Sequence, residues 1–284
     1  MGDLPSRSNR LIPRKNASNA KLQEEFVSIN LSSPVPGILF GLTLSRDAGS
    51  ATTVDVAAGV AADDGTNYFI QTTSTITKVL QSSGAWSAGT GGNGIDSGSR
   101  AASTWYHVFL IRADVDGHGD ILLSTSVSSP TLPSGYTYKR RIGSILTSSS
   151  GNIVPFTQTG DLFLWFDAAY DVQAASVGTT STLFTLSVPP GVKVEAFIRA
   201  GYGNSAALGQ CAVRSPDEDS SQTTPLVTGS GHQLDNVSTS QGTTAELRVL
   251  TNTSRQVSII SNQTSNNTIN IRTVGWIDQR GRLY

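Results

Sequence analysis

The densest group of chemically capable side chains is Asp114-Val115-Asp116-Gly117-His118-Gly119-Asp120, three carboxylates and an imidazole in one short stretch. Carboxylates at alternating positions are how a calcium loop presents oxygen ligands, but the distal bidentate Glu and the remaining oxygen donors are missing. The stretch therefore reads first as a turn and second as a weak cation site. The other histidines, His107 and His232, are distant in sequence, and neither an H-x-H pair nor an H-E-x-x-H helix occurs, which argues against a transition-metal centre. Nucleophilic catalysis would need Cys211 to pair with His232. The neighbours Gly209 to Val213 read as an ordinary strand, so a small buried thiol is expected instead.

Glycan hydrolysis requires two carboxylates opposed across a cleft. Asp161, Asp167 and Asp171 flank an apolar strand, while Asp217, Glu218 and Asp219 form a solvated acidic loop, so neither group supplies the pair. Gly89-Thr90-Gly91-Gly92-Asn93-Gly94 matches G-x-G-x-x-G, yet Ile95 to Ser99 has no helical period. A surface loop ordered by Trp86 is expected there, not a dinucleotide site. No enzyme activity, catalytic residue, metal or cofactor is expected. Binding is the more promising chemistry. Sugar recognition needs flat rings with amide and carboxylate partners, and Trp165, Tyr170, Tyr202 and Trp276 are the candidate stacking platforms, set against the core burial common for strand aromatics.

The elements that must position these residues are strands. Trp105 to Arg112 is rich in aromatic and β-branched residues and stops at the Asp/Gly cluster, and Ile121 to Val127 is its hairpin partner. The segment Pro130 to Pro133 blocks simple addition of a third strand, so Tyr136 to Ile145 must re-enter the sheet from a crossing. Leu42 and Leu44, then Val54 and Val56, alternate with period two, and Asp63-Asp64-Gly65 is a hairpin turn before Tyr68-Phe69-Ile70. Beyond a candidate boundary at Thr157 to Gly160, alternation becomes regular: Phe184, Leu186, Val188; Val192, Val194, Ala196, Ile198; Leu247, Val249; Val257, Ile259; Ile269, Ile271. Val188-Pro189-Pro190-Gly191 forces a sharp turn, and a long polar excursion runs from Ser215 to Thr243. Unequal connections between such strands fit a jelly roll better than a meander.

Composition agrees with this class. Charged residues make up only 14% of 284, and glycine reaches 28, the profile of a turn-rich β protein. A net charge of -1 argues against a nucleic-acid partner. One cysteine leaves no intrachain disulfide, and no apolar run is long enough for membrane insertion. The opening residues are polar and basic and do not read as a secretory signal. Over residues 1 to 21, Arg7, Arg10, Arg14, Lys15 and Lys21 stand against a single acid, Asp3, so the N-terminal segment (1–25) reads as an extended arm, either floppy or ordered along an acidic groove of another protein with Arg7, Arg10, Arg14 and Lys15 as its anchors. Within the arm, Ala17 to Phe26 can form a short helix with Leu22 and Phe26 on one face.

Trp105-Tyr106-His107-Val108-Phe109-Leu110-Ile111-Arg112, Leu132-Pro133-Ser134-Gly135-Tyr136 and Lys139-Arg140-Arg141-Ile142-Gly143-Ser144-Ile145 together resemble a module of tail-fibre-like and other appendage proteins of tailed bacteriophages. Val54 to Ala61 and the Trp86 to Gly98 loop look like earlier parts of it, so the resemblance covers roughly residues 50 to 160. It implies a virion structural protein, made in the bacterial cytoplasm and assembled as a homotrimer with other virion proteins of the tail, baseplate or head-neck. The expected architecture is all-β: the arm (1–25), a β-rich middle module (26–158) and a C-terminal antiparallel, jelly-roll-like sandwich (159–284). Two roles follow: a tail fibre or tail tip whose sandwich binds a host surface glycan or protein, or a purely architectural head-fibre, collar, baseplate or fibre-adaptor component.

Overall fold

The structure, a computed structural model, describes residues 34–218 and 231–282. Arg7, Arg10, Arg14, Lys15, the Ala17 to Phe26 segment and Asp219 lie outside the described residues. Within them the chain forms strands and turns and no helix. The first half contains β1 (Leu39–Gly41), β2 (Leu44–Arg46), β3 (Thr53–Val56), β4 (Gly59–Ala62), β5 (Phe69–Thr72), β6 (Ile76–Val79) and β7 (Gly92–Asn93). The long strands β8 (Trp105–Ala113), β9 (Gly119–Ser124) and β10 (Tyr136–Leu146) follow. The second half contains β11 (Phe156–Thr159), β12 (Leu162–Trp165), β13 (Tyr170–Ala175), β14 (Thr182–Thr185) and β15 (Glu195–Asn204). It ends with β16 (Gln210–Arg214), β17 (His232–Asp235), β18 (Thr243–Leu250), β19 (Gln256–Ser261) and β20 (Asn267–Ile277).

Three small sheets make the first half: β1-β4-β5, β2-β3-β6-β7 and β10-β8-β9. The hairpin β8–β9 turns at Gly117, whose φ of 79° only glycine adopts without strain. The proline segment carries the chain past β9, and β10 docks on the other edge of β8, as a crossing requires. The Asp63 turn also forms: its carboxylate accepts the backbone N–H groups of Gly65, Asn67 and Tyr68. Gly143 in β10 sits where three elements converge, since a Cβ there would lie 2.7 Å from Leu44 and 3.1 Å from Phe163.

The second half is a β-sandwich. One layer is the six-stranded sheet β11-β12-β20-β15-β18, with β13 also on β20; the other is β14-β19-β16-β17. Alternation dictates which residues meet between them: Ala196, Ile198, Ala200 and Tyr202 of β15 and Ile269 and Ile271 of β20 face Cys211, Val213, Val257 and Ile259, all buried. Two boundaries differ from the sequence expectation. The candidate break at Thr157 to Gly160 lies within a hairpin: Thr157 to Thr159 are in β11, which pairs with β12 through a turn at Gly160 and Asp161 and so joins the second sheet. The Ser215 to Thr243 excursion contains β17, whose short alternating run His232–Asp235 pairs with β16.

One core joins the two halves, and three of the four tryptophans meet there. Trp105 of β8 lies 5.9 Å from Trp165 and 5.6 Å from Trp276, which in turn stacks on Phe163 at 5.1 Å. Beside this cluster Arg141 grips Asp278 through two bonds of 2.6 and 2.8 Å. Burial alone would raise the Asp278 carboxyl; the Arg141 charge and its hydrogen bonds, with the Arg280 N–H, hold it below the ordinary range. Asp161 accepts from both Arg280 and Arg282, and Arg140 donates to the Arg280 carbonyl, so the segment after β20 is tied back onto β10. His107 completes the group, its Nδ1 2.9 Å from the Ser144 Oγ that also receives Arg141. Burial, reinforced by Arg141 against the opposing charge of Asp278, pushes the His107 imidazole down to about 4.

Two outcomes are expected. Trp276→Ala should lower unfolding free energy by about 3–5 kcal/mol in urea titrations, since the ring is fully buried between both halves. Between about pH 6.5 and 4 the unfolded chain protonates His107 and the folded chain does not, so stability should fall with falling pH through that window by roughly 3 kcal/mol. His107→Gln should remove that component, as read from urea midpoints at pH 7 and pH 4.5.

Candidate functional site

The carboxylates of the Asp114 to Asp120 turn do not converge. Asp114 accepts the backbone N–H and hydroxyl of Thr137 at 3.1 and 2.9 Å, and Asp116 accepts the His118 N–H at 3.1 Å. Asp120 points inward to Lys78 at 2.9 Å, a pair with almost no exposure, and also receives the Gly89 N–H at 2.8 Å. Among the described residues no three or more His, Cys, Asp or Glu side chains are grouped so as to hold a metal ion, and the three carboxylates of this turn each go to a different partner. Lys78 explains the order of the glycine loop that follows Trp86. Its Nζ donates to the Ser87 carbonyl at 2.6 Å and lies 4.5 Å from the Trp86 ring, while Trp86 Nε1 donates to the Ile121 carbonyl at 2.9 Å. Trp86 is the legible part of that anchor; Lys78 and Asp120 come from distant strands and leave no local pattern.

The other candidates are also occupied separately. Cys211 is buried in β16, burial pushes its thiol up to about 12, and Val213 rather than Cys211 is registered opposite His232. Asp171 accepts the N–H and hydroxyl of Thr273 and the hydroxyl of Ser187, Asp217 pairs with Lys193, and Glu218 receives the Ser215 N–H. Of the four proposed stacking rings, three are corrected. Trp276, Tyr202 and Trp165 are 0%, 1% and 9% exposed and belong to the core, because their strands point them between the sheets. Tyr170 alone presents a ring, at 50% exposure.

Tyr170 borders a surface feature absent from the sequence reading. On the outer face of the six-stranded sheet, β15 contributes Phe197, Arg199, Gly201 and Gly203, since the alternate positions are buried. Registered beside them are Arg248, Glu246 and Thr244 on β18, and Arg272, Asn270 and Thr268 on β20. The two glycines leave the C-terminal half of the outer face of β15 bare, between the side chains of β18 and β20. Clefts of about 290, 320 and 200 Å³ follow one another along this line, from Phe197 and Val274, past Tyr170 and Gly201, to Gly203 and Asn266. From Phe197 to Gly203 the trough runs about 20 Å at the ordinary strand rise.

Neither glycine is demanded by the backbone. A Cβ on Gly201 would come no nearer than 3.4 Å, to Thr244 Oγ1, and one on Gly203 no nearer than 3.5 Å, to Gly242. Both therefore have room for a side chain, and glycine inside a strand often marks a place that a ligand or another backbone approaches closely. The walls are held in place by paired side chains. Arg272 lies over the Tyr170 ring and Arg248 over the Phe197 ring, each 4.3 Å from the centroid, and Arg199 bonds Glu246 at 2.8 Å. The arrangement offers hydroxyls, an amide and cationic planes along a shallow floor, which suits recognition of an extended polar ligand.

No protein-family model matches the chain, and no curated protein matches it. Among solved structures, a Bacillus thuringiensis Cry1Da tryptic core variant matches with 8% identity over 88% of this chain and 54% of that chain. The chain thus spans about half the length of the toxin core, and the TM-score of 0.20 carries no argument about fold or function.

Proposed function

We propose that this chain is a structural, non-enzymatic protein of a tailed-bacteriophage virion, a tail fibre or tail-tip appendage whose C-terminal sandwich binds a ligand on the host surface. The resemblance of Trp105 to Arg112 and Leu132 to Ile145 to appendage modules supports the virion assignment. The observation that carries the binding role is the floor of the trough: Gly201 and Gly203 omit side chains where the backbone would accept them. Such omission costs strand stability and leaves a polar-walled groove open.

In this reading residues 1–25 dock on tail, baseplate or head-neck proteins, with Arg7, Arg10, Arg14 and Lys15 as the contacts. The middle module forms a homotrimer, so that three jelly-roll-like sandwiches face outward and weak single-site binding is multiplied by valency. The ligand is a host-surface glycan or protein segment lying along β15.

Adsorption of the labelled full chain to host cells tests this. Gly201→Val should melt at or above the wild-type temperature and adsorb at least about tenfold more weakly, a loss of roughly 1.4 kcal/mol. Unchanged adsorption by that variant would remove the trough from the reading. A wild-type chain that enters particles but neither binds host cells nor blocks infection would be an architectural head-fibre, collar, baseplate or adaptor component instead.

A further inference from the structure

We infer that the trough takes a carboxylate-bearing oligosaccharide, with Arg248 and Arg272 clamping two of its acid groups; this rests on the trough being the binding face. Five charged side chains reach that face, Glu195, Arg199, Glu246, Arg248 and Arg272. Glu246 is consumed by Arg199, and Glu195 stands opposite Leu250 at one end. Arg248 and Arg272 form no ion pair with any described residue, and each contacts an aromatic ring instead.

Their placement is that of a clamp. The two arginines stand on the strands either side of β15, Arg272 across from Arg199 and Arg248 across from Phe197. Two strand spacings and a two-residue offset put their Cα atoms about 12 Å apart, one on each wall. Contact with the Tyr170 and Phe197 rings, 4.3 Å from each guanidinium carbon, restrains the two side chains, and a guanidinium fork matches a carboxylate through two N–H donors. Restraint of this kind lowers the ordering cost of binding.

The rest of the face selects a sugar over a peptide. β15 is hydrogen-bonded to β18 on one side and β20 on the other, so no peptide can add to it as a strand. Recognition must come from side chains, and those that continue the trough beyond Arg272, at the level of Gly201 and Gly203, are Thr244, Asn270 and Thr268, short groups matched to ring hydroxyls. Asn270 Oδ1 already accepts the Ala174 N–H at 2.8 Å, which fixes the amide and leaves its Nδ2 as the donor toward the trough.

Calorimetric titration of the full chain with tetragalacturonate, its neutral methyl ester and tetraglutamate separates the possibilities. Tetragalacturonate should bind at least about tenfold more tightly than the ester, as expected for one or two charge-assisted contacts. Arg248→Gln and Arg272→Gln should each weaken the acid by about tenfold and the ester by clearly less, so that the acid-over-ester preference shrinks, and added salt should weaken the acid more than the ester. Equal binding of acid and ester, abolished by Gly201→Val, would overturn the acid preference while keeping the binding face. Tetraglutamate binding as tight as tetragalacturonate would assign the clamp to acidic peptides and overturn it as well. Binding of none of the three, while Gly201→Val still loses host-cell adsorption, would overturn this inference alone; no binding together with unchanged adsorption would overturn the binding face too.

Discussion

The position of β20 is the constraint on which the outer face depends. It bonds to β15 along its whole length on one edge and to β12 and β13 on the other, so it cannot shift register without breaking both ladders. Its C-terminal end is fixed twice, by Trp276 inside the aromatic cluster and by Asp278 on Arg141 of the first half. A buried ion pair of this kind adds little net stability, since desolvation offsets attraction, but removing one partner is costly. It therefore acts mainly on geometry: it holds the strand bearing Asn270 and Arg272 against a domain that carries neither.

The face itself contributes little to folding. Arg199 and Glu246 are 56% and 73% exposed, and pairs with that exposure are worth at most about 1 kcal/mol. The two arginine–aromatic stacks are of similar size at exposed sites. Gly201 and Gly203 lower strand stability. Stabilising side chains are thus forgone at two positions on the outer surface of the most extensively bonded strands, while the inner surface is packed with Ala196, Ile198, Ala200 and Tyr202. A ligand role for the outer face accounts for that contrast.

Much of the sandwich was legible because burial of one face imposes period two. Leu186, Val194, Ile198, Val257, Ile259, Ile269 and Ile271 were assigned to the core by alternation alone, and all are buried. The same parity could have placed Tyr202, two residues beyond Ala200, inside. Trp276 was not recoverable that way. Opposite Phe197 and Ile198, β20 carries a register shift between Thr273 and Gly275, and the extra residue flips the faces beyond it. The trough was hidden for a different reason. Its walls are cross-strand pairs such as Arg272 with Tyr170 and Arg248 with Phe197, set by register between strands far apart in sequence. Lys78 with Asp120 was missed likewise, and the Asp114 to Asp120 spacing mimicked a metal loop only because local sequence does not reveal which way each carboxylate turns.

The most direct test of a binding face on β15 is amide chemical-shift mapping of the isotope-labelled chain titrated with host surface polysaccharide. Shifts should concentrate on Arg199, Gly201, Gly203, Thr244, Asn270 and Arg272, with β16 and β19 on the far sheet unmoved. Shifts confined to the Asp114 to Asp120 turn or the Trp86 loop, with the β15 amides silent, would contradict it.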